Sequence, residues 1–259
     1  MESVTDVRRI WWCPTGPLAF LPIHGTGIYP NGPKLSNFVV SSYTPTLNSL
    51  LDKPQSETIA KRQLLTVALP KESRLPGTSK EVELVAKHAD NHFSILPLLE
   101  SKATSTRVSE IMKTSSWVHF ACHGAQNSSS PTDSCLLLAG YSKLTLTEII
   151  NLRLQNAELA FLSACETATG DKELEEEAVH LAAGMLLAGY QGVIATMWTI
   201  DDDVAVKVAE ETYYRLFKEY DADSMRAAEA LHFAVQRVRK EAQGRLPLFS
   251  WLPFIHMGI

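Results

Sequence analysis

His123 and Cys165 are the residues of this 259-residue chain whose types and settings suit joint chemistry. Each closes an apolar run of strand length. Trp117-Val118-His119-Phe120-Ala121-Cys122 runs into His123-Gly124, and Leu159-Ala160-Phe161-Leu162-Ser163-Ala164 runs into Cys165. In open α/β sheets the carboxyl ends of strands are where reactive groups collect, because loops and helix amino ends converge there. A thiolate is an attacking species, an imidazole beside it moves protons, and amides at a glycine turn such as Gly124 can hold an oxyanion. Gly124 also leaves room for a carbonyl to approach. Sequential parallel strands are often neighbours, which would bring His123 and Cys165 to one cleft. The bland alternative is that Cys165 is a buried structural thiol and His123 merely ends a strand.

The elements that must position this pair alternate between short apolar runs and helical patterns, as in α/β proteins with a buried, largely parallel sheet. Strands are expected at Arg9 to Cys13, Leu18 to Ile23, Phe38 to Tyr43, Leu64 to Leu69, Phe93 to Leu96, Trp117 to Cys122, Leu136 to Ala139, Leu159 to Ala164 and Val193 to Met197. Thr78-Ser79-Lys80-Glu81 and Thr145-Leu146-Thr147-Glu148 fit the capping box that opens a helix. Helices with one apolar face are expected over Leu174 to Leu187 and Ala227 to Val238. Asn31 to Lys34, Asp52 to Arg62 and Ala125 to Ser134 are polar, turn-rich connections. No internal repeat and no domain boundary stands out, so residues 1–259 are expected to form a single domain.

Composition narrows the partners. With 45% hydrophobic and 20% charged residues the chain is an ordinary globular sequence. A net charge of -5, with Lys and Arg scattered singly, argues against nucleic acid. The longest apolar stretch, Leu181 to Tyr190, is about half of a bilayer span, and Glu2, Asp6, Arg8 and Arg9 are unlike a secretory signal. A soluble cytoplasmic protein with no membrane span is expected. Cys13, Cys122, Cys135 and Cys165 form no CxxC pair, so neither a zinc cage nor a disulfide framework is indicated.

The motifs themselves resemble those of the CHAT domain, a caspase-like cysteine peptidase family related to separase and the metacaspases. The resemblance rests on Trp11-Trp12-Cys13-Pro14-Thr15-Gly16-Pro17-Leu18, Val39 to Thr46, Leu75-Pro76-Gly77-Thr78, His119 to Gly124, Leu162 to Gly170 and Gly192 to Trp198, and it spans nearly the whole chain. It implies a caspase-like αβα sandwich with a mostly parallel central sheet, His123 as the catalytic imidazole and Cys165 as the nucleophile. It implies no metal and no organic cofactor. The separation of His123 and Cys165 by about 40 residues is compatible with the roughly 50 of caspase-type enzymes. Caspases place Gly two residues beyond the nucleophile, whereas Glu166-Thr167 follow here, so their specificity for Asp does not carry over.

Resemblance to separase also bears on Trp198-Thr199-Ile200-Asp201-Asp202-Asp203, because the matching strand end there supplies an acidic residue to the pocket for the residue before the cut. Asp202 is the closest match, and a desolvated carboxylate would select Lys or Arg. The competing reading is that these acidic residues cap a helix amino end. The acidic run Asp171, Glu173, Glu175, Glu176 and Glu177 reads as a solvated helix start, with gating of Cys165 as its functional alternative. His24-Gly25-Thr26-Gly27 lacks the pattern of a dinucleotide site, and no phosphate-binding loop or GxSxG is present. The sequence thus predicts a cysteine endopeptidase acting on a protein or peptide substrate, as a regulated effector in signalling or defence coupled to a sensor domain or protein. A catalytically silent interaction module on the same fold is the rival.

Overall fold

The computed structural model describes residues 8–51, 62–69, 75–89, 92–125, 133–163, 165–166, 178–242 and 246–259. In chain order its elements are β1 (Arg8–Trp12), β2 (Val39–Tyr43), β3 (Gln63–Ala68), α1 (Gly77–Ala89), β4 (Ser94–Leu99), α2 (Ser105–Met112), β5 (Trp117–Ala121) and β6 (His123–Ala125). They continue with β7 (Cys135–Leu138), β8 (Ser142–Thr145), α3 (Leu146–Asn151), β9 (Leu159–Leu162), β10 (Cys165–Glu166), α4 (Ala178–Ala188) and β11 (Gly192–Thr196). The last are α5 (Asp202–Lys218), α6 (Ala227–Glu241), α7 (Leu248–Trp251) and β12 (Phe254–Gly258).

Eight strands form the central sheet in the order β1-β2-β12-β11-β9-β5-β3-β4. Every pairing is parallel except that of β11 with β12. Both faces are covered, which explains why strands such as β5 and β9 carry uninterrupted apolar runs. Leu64, Trp117, Phe161 and Ile194 pack with Val85 of α1, Val208 and Tyr213 of α5 and Leu231 of α6. The opposite face sends Leu65, Val118, Phe120, Ala160 and Val193 against Val108 of α2, Ile149 of α3 and Met185 of α4. The protein is therefore an αβα sandwich.

Local chemistry explains most element boundaries. Thr145 caps α3 as its pattern predicts: its Oγ1 accepts from Glu148 N at 3.2 Å, and Glu148 Oε2 accepts from Thr145 N at 2.7 Å. The other expected box does not form. α1 already begins at Gly77, Thr78 Oγ1 donates to Leu75 O, and Glu81 turns into the core, 1% exposed. Leu18 to Ile23 is not a strand either. Gly16, at φ +57, leads into a 3-10 helix over Gly16–Phe20, and Pro17 in its first turn has no amide for a ladder. Conversely, β12, which is not among the strands expected from the sequence although Pro253 and Gly258 bound its apolar run, occupies the middle of the sheet. The strand expected at Leu136 to Ala139 is β7, Cys135–Leu138, which pairs outside the main sheet, and Ala139 opens a 3-10 helix. Among the described residues no helix is long and apolar enough to cross a membrane.

Candidate active site

The site is built where two neighbouring strands leave the central sheet. β5 and β9 are parallel partners, with Trp117 opposite Leu159 and Phe120 opposite Leu162. Beyond their carboxyl ends both chains continue into a second, four-stranded sheet of order β10-β6-β7-β8. There β6 and β10 pair in parallel, with Cys165 opposite His123 and Glu166 opposite Gly124. Adjacent strands lie about 4.8 Å apart, so that register brings the two backbones together at the sheet edge. His123 is half-buried and Gly124 is buried.

Gly124 has a packing role that its sequence context does not disclose. A Cβ there would stand 3.3 Å from Leu181 Cδ1 and 3.9 Å from Cys135 O. The space left by the missing side chain is thus taken up by α4 and β7.

Asp202 follows β11, whose carboxyl end lies on the same edge of the sheet. Its Oδ2 accepts a hydrogen bond from Gly77 N at 2.7 Å, at the amino end of α1 rather than of its own helix. A Cβ on Gly77 would fall 2.5 Å from that oxygen, so glycine is what lets the carboxylate seat there. Asp201, the N-cap of α5, makes no side-chain cap bond and instead accepts from Ser250 Oγ at 2.8 Å. Trp198 Nε1 donates to Phe249 O at 3.1 Å, tying the end of β11 to α7. The acidic run Asp171 to Glu177 lies outside the described residues.

Below the site, β5 carries a buried polar cluster that sequence reasoning missed. His119 Nε2 lies 3.1 Å from Glu81 Oε1, and His119 Nδ1 lies 3.3 Å from the Tyr213 hydroxyl, all three residues being essentially inaccessible to solvent. Burial, and secondarily the charge of Glu81, hold the Tyr213 phenol well above its usual range. The cluster cross-links α1, β5 and α5 four residues before His123. One signal for it was present: Glu81, Val85 and Ala89 fall at helical i, i+4, i+8 spacing, which marks Glu81 as a core position. Among the remaining thiols Cys122 and Cys135 are buried and Cys13 is exposed. Burial pushes the Cys135 thiol up. Among the described residues no group of three or more His, Cys, Asp or Glu is placed to hold a metal ion.

The CHAT domain family model matches residues 2–259. Among solved structures, the arginine-specific cysteine proteinase gingipain R has a TM-score of 0.53 at 15% identity, covering 85% of this chain and 54% of that one. The pro- and mature domains of RgpB from Porphyromonas gingivalis give 0.56 at 14% identity, covering 85% and 55%. Separase from Saccharomyces cerevisiae, solved with securin, gives 0.58 at 17% identity, covering 87% of this chain and 14% of that one. The chain therefore spans about half of the gingipain chains and a small part of separase, and at these identities the likeness is one of fold. No curated protein matches.

Proposed function

From the premise that the chain belongs to the CHAT domain family, we propose that it is a cysteine endopeptidase with Cys165 as nucleophile and His123 as general acid and base. The observation that carries this reading is the parallel pairing of Cys165 with His123 at the carboxyl ends of adjacent strands. The Cys165 thiolate attacks the scissile carbonyl carbon, and amides near Gly124 and Cys165 hold the oxyanion. The C–N bond then breaks as His123 delivers a proton to the leaving amine, leaving a thioester. Water, deprotonated by His123, attacks the thioester carbonyl and releases the acid and the thiolate.

On this reading Asp202 faces the residue before the cut and favours Lys or Arg, in keeping with the arginine specificity in the name of gingipain R. Among the described residues its carboxylate accepts from Gly77 N, and a carboxylate has further acceptor sites for a guanidinium. We further infer an intracellular, regulated enzyme controlled by a protein partner, as the securin-bound state of separase suggests.

Cleavage of a peptide library, with Cys165→Ala and His123→Ala as controls, tests the assignment. Both variants are expected to lose cleavage at wild-type melting temperature, since residues acting as one unit fail together. Turnover near wild type in either variant shows that nucleophile or base is another residue. If a peptidyl alkylating agent leaves Cys165 unlabelled in a Cys13→Ser background, the domain is a silent interaction module.

A further inference from the structure

A cleft away from the paired strands lies between α6 and the strands β2 and β12. It spans about 530 Å³ of space not filled by protein atoms, part of it open to solvent, which suits a small ligand. Its polar and aromatic lining includes His24, Tyr43, His232, Arg239, Trp251 and His256, and the lining contains no Asp or Glu.

Arg239 is the unusual member. Its guanidinium carbon lies over the Trp251 ring, 3.7 Å from the ring centroid, and a cation on a ring face makes its contact through the π-system and not through its N–H donors. Among the described residues it makes no hydrogen bond and no ion pair. Among the described residues no carboxylate pairs with it, and the interaction that opposes the effect of its burial comes from Tyr29. His232 is held neutral chiefly by burial, with His24 and Arg239 adding to the effect, and burial does the same for His24. Arg9 stands behind the cleft, with Nη2 donating to His256 Nδ1 at 3.3 Å. Such a pocket has a positive interior, aromatic walls and no internal counter-ion. A fixed guanidinium in a lining without carboxylates is complemented by an anion and not by a cation.

We infer that this cleft binds a small carboxylate, with the carboxylate on the N–H edge of Arg239 and its apolar body beside Trp251 and Tyr43. A carboxylate fits because its two oxygens match the guanidinium fork while its apolar body lies along the aromatic lining. Trp251 belongs to α7, the helix whose Phe249 carbonyl accepts from Trp198, so the occupied cleft shares a wall with the end of β11. The inference does not depend on Cys165 being a nucleophile.

Ligand-observed NMR on the full chain, with benzoate as the probe and benzamide as its neutral counterpart, tests the site. Benzoate is expected to bind at millimolar concentration or better, with benzamide at least tenfold weaker, the ratio expected when a charge-assisted pair is lost. Arg239→Met should weaken benzoate tenfold or more, and Arg239→Lys should restore part of that loss. Melting curves identify a variant that has failed to fold, in which case Arg239→Gln replaces it. Equal binding of benzamide, unchanged binding by Arg239→Met, or no benzoate binding at all overturns the inference. A short peptide ending in Phe, compared with its carboxamide, separates the two sources of such a group. Preference for the free peptide terminus over benzoate identifies a chain end, the reverse identifies a free small acid, and both uphold the carboxylate site.

Discussion

Lowering the pH from 7 to 5 should destabilise this protein through His24, by an amount its surroundings allow one to work out. Both ring nitrogens are engaged: Nδ1 meets the Tyr43 hydroxyl at 2.7 Å and Nε2 donates to Leu252 O at 2.9 Å. Burial pushes the pKa from 6.5 down to about 4, partly opposed by the bond to Leu252. The folded ring therefore stays neutral at pH 5, while the unfolded chain takes up a proton at that position. The unfolded state binds more protons throughout this window, so stability rises with pH above about 4 and levels off above 6.5. At about 1.4 kcal/mol per pH unit, and counting from the unfolded pKa, the loss between pH 7 and pH 5 is on the order of 2 kcal/mol. Urea unfolding of wild type and His24→Gln at both pH values isolates the contribution. The variant loses a hydrogen bond at every pH, but its stability should fall by about 2 kcal/mol less across the window. Parallel pH dependences in the two proteins would refute the reasoning, because they would mean that the folded ring takes up its proton as readily as the unfolded one.

Other perturbations follow from the same geometry. Asp202→Ala removes the acceptor of the Gly77 amide and should cost about 1 kcal/mol in urea unfolding, the usual cost of a lost helix cap. In the proposed peptidase, Asp202→Asn should also lower the preference for Lys or Arg before the cut by about tenfold. A change in stability with unaltered selectivity would show that Asp202 is only a cap. Glu158 accepts from Trp117 Nε1 at 2.8 Å and pairs with Arg62, so Glu158→Ala should destabilise by about 3 kcal/mol, measured by chemical denaturation. Glu81→Ala strips His119 of its carboxylate and should cost about 1–3 kcal/mol. Recovery of part of that stability in Glu81→Gln would identify a hydrogen-bonding role.

The sequence alone carries the strand-ending runs at His123 and Cys165, the α3 capping box and the alternation of strands with helices. Each of these depends on neighbours in the chain: apolar runs bounded by turn residues, or a hydroxyl three residues before a carboxylate. What it does not carry is anything that depends on a distant partner. Thr78-Ser79-Lys80-Glu81 and Thr145-Leu146-Thr147-Glu148 have the same local form. Only the second uses its carboxylate as a cap, because Glu81 finds His119 across the α1–β5 packing and Glu148 has only its own helix end. β12 is absent from the expected strands, and its place between β11 and β2 is settled by pairing with strands far away in sequence. The Leu18 to Ile23 run is apolar enough for a strand, but Pro17 and the left-handed Gly16 turn it into a 3-10 helix. Asp202 illustrates the division most clearly. Its place near a helix amino end is evident from the residues around it, yet it bonds to α1, and only the packing of α5 against α1 could determine that. Register across β6 and β10 is of the same kind: composition makes Cys165 and His123 candidates, and the folding of one strand pair beside another sets them opposite each other.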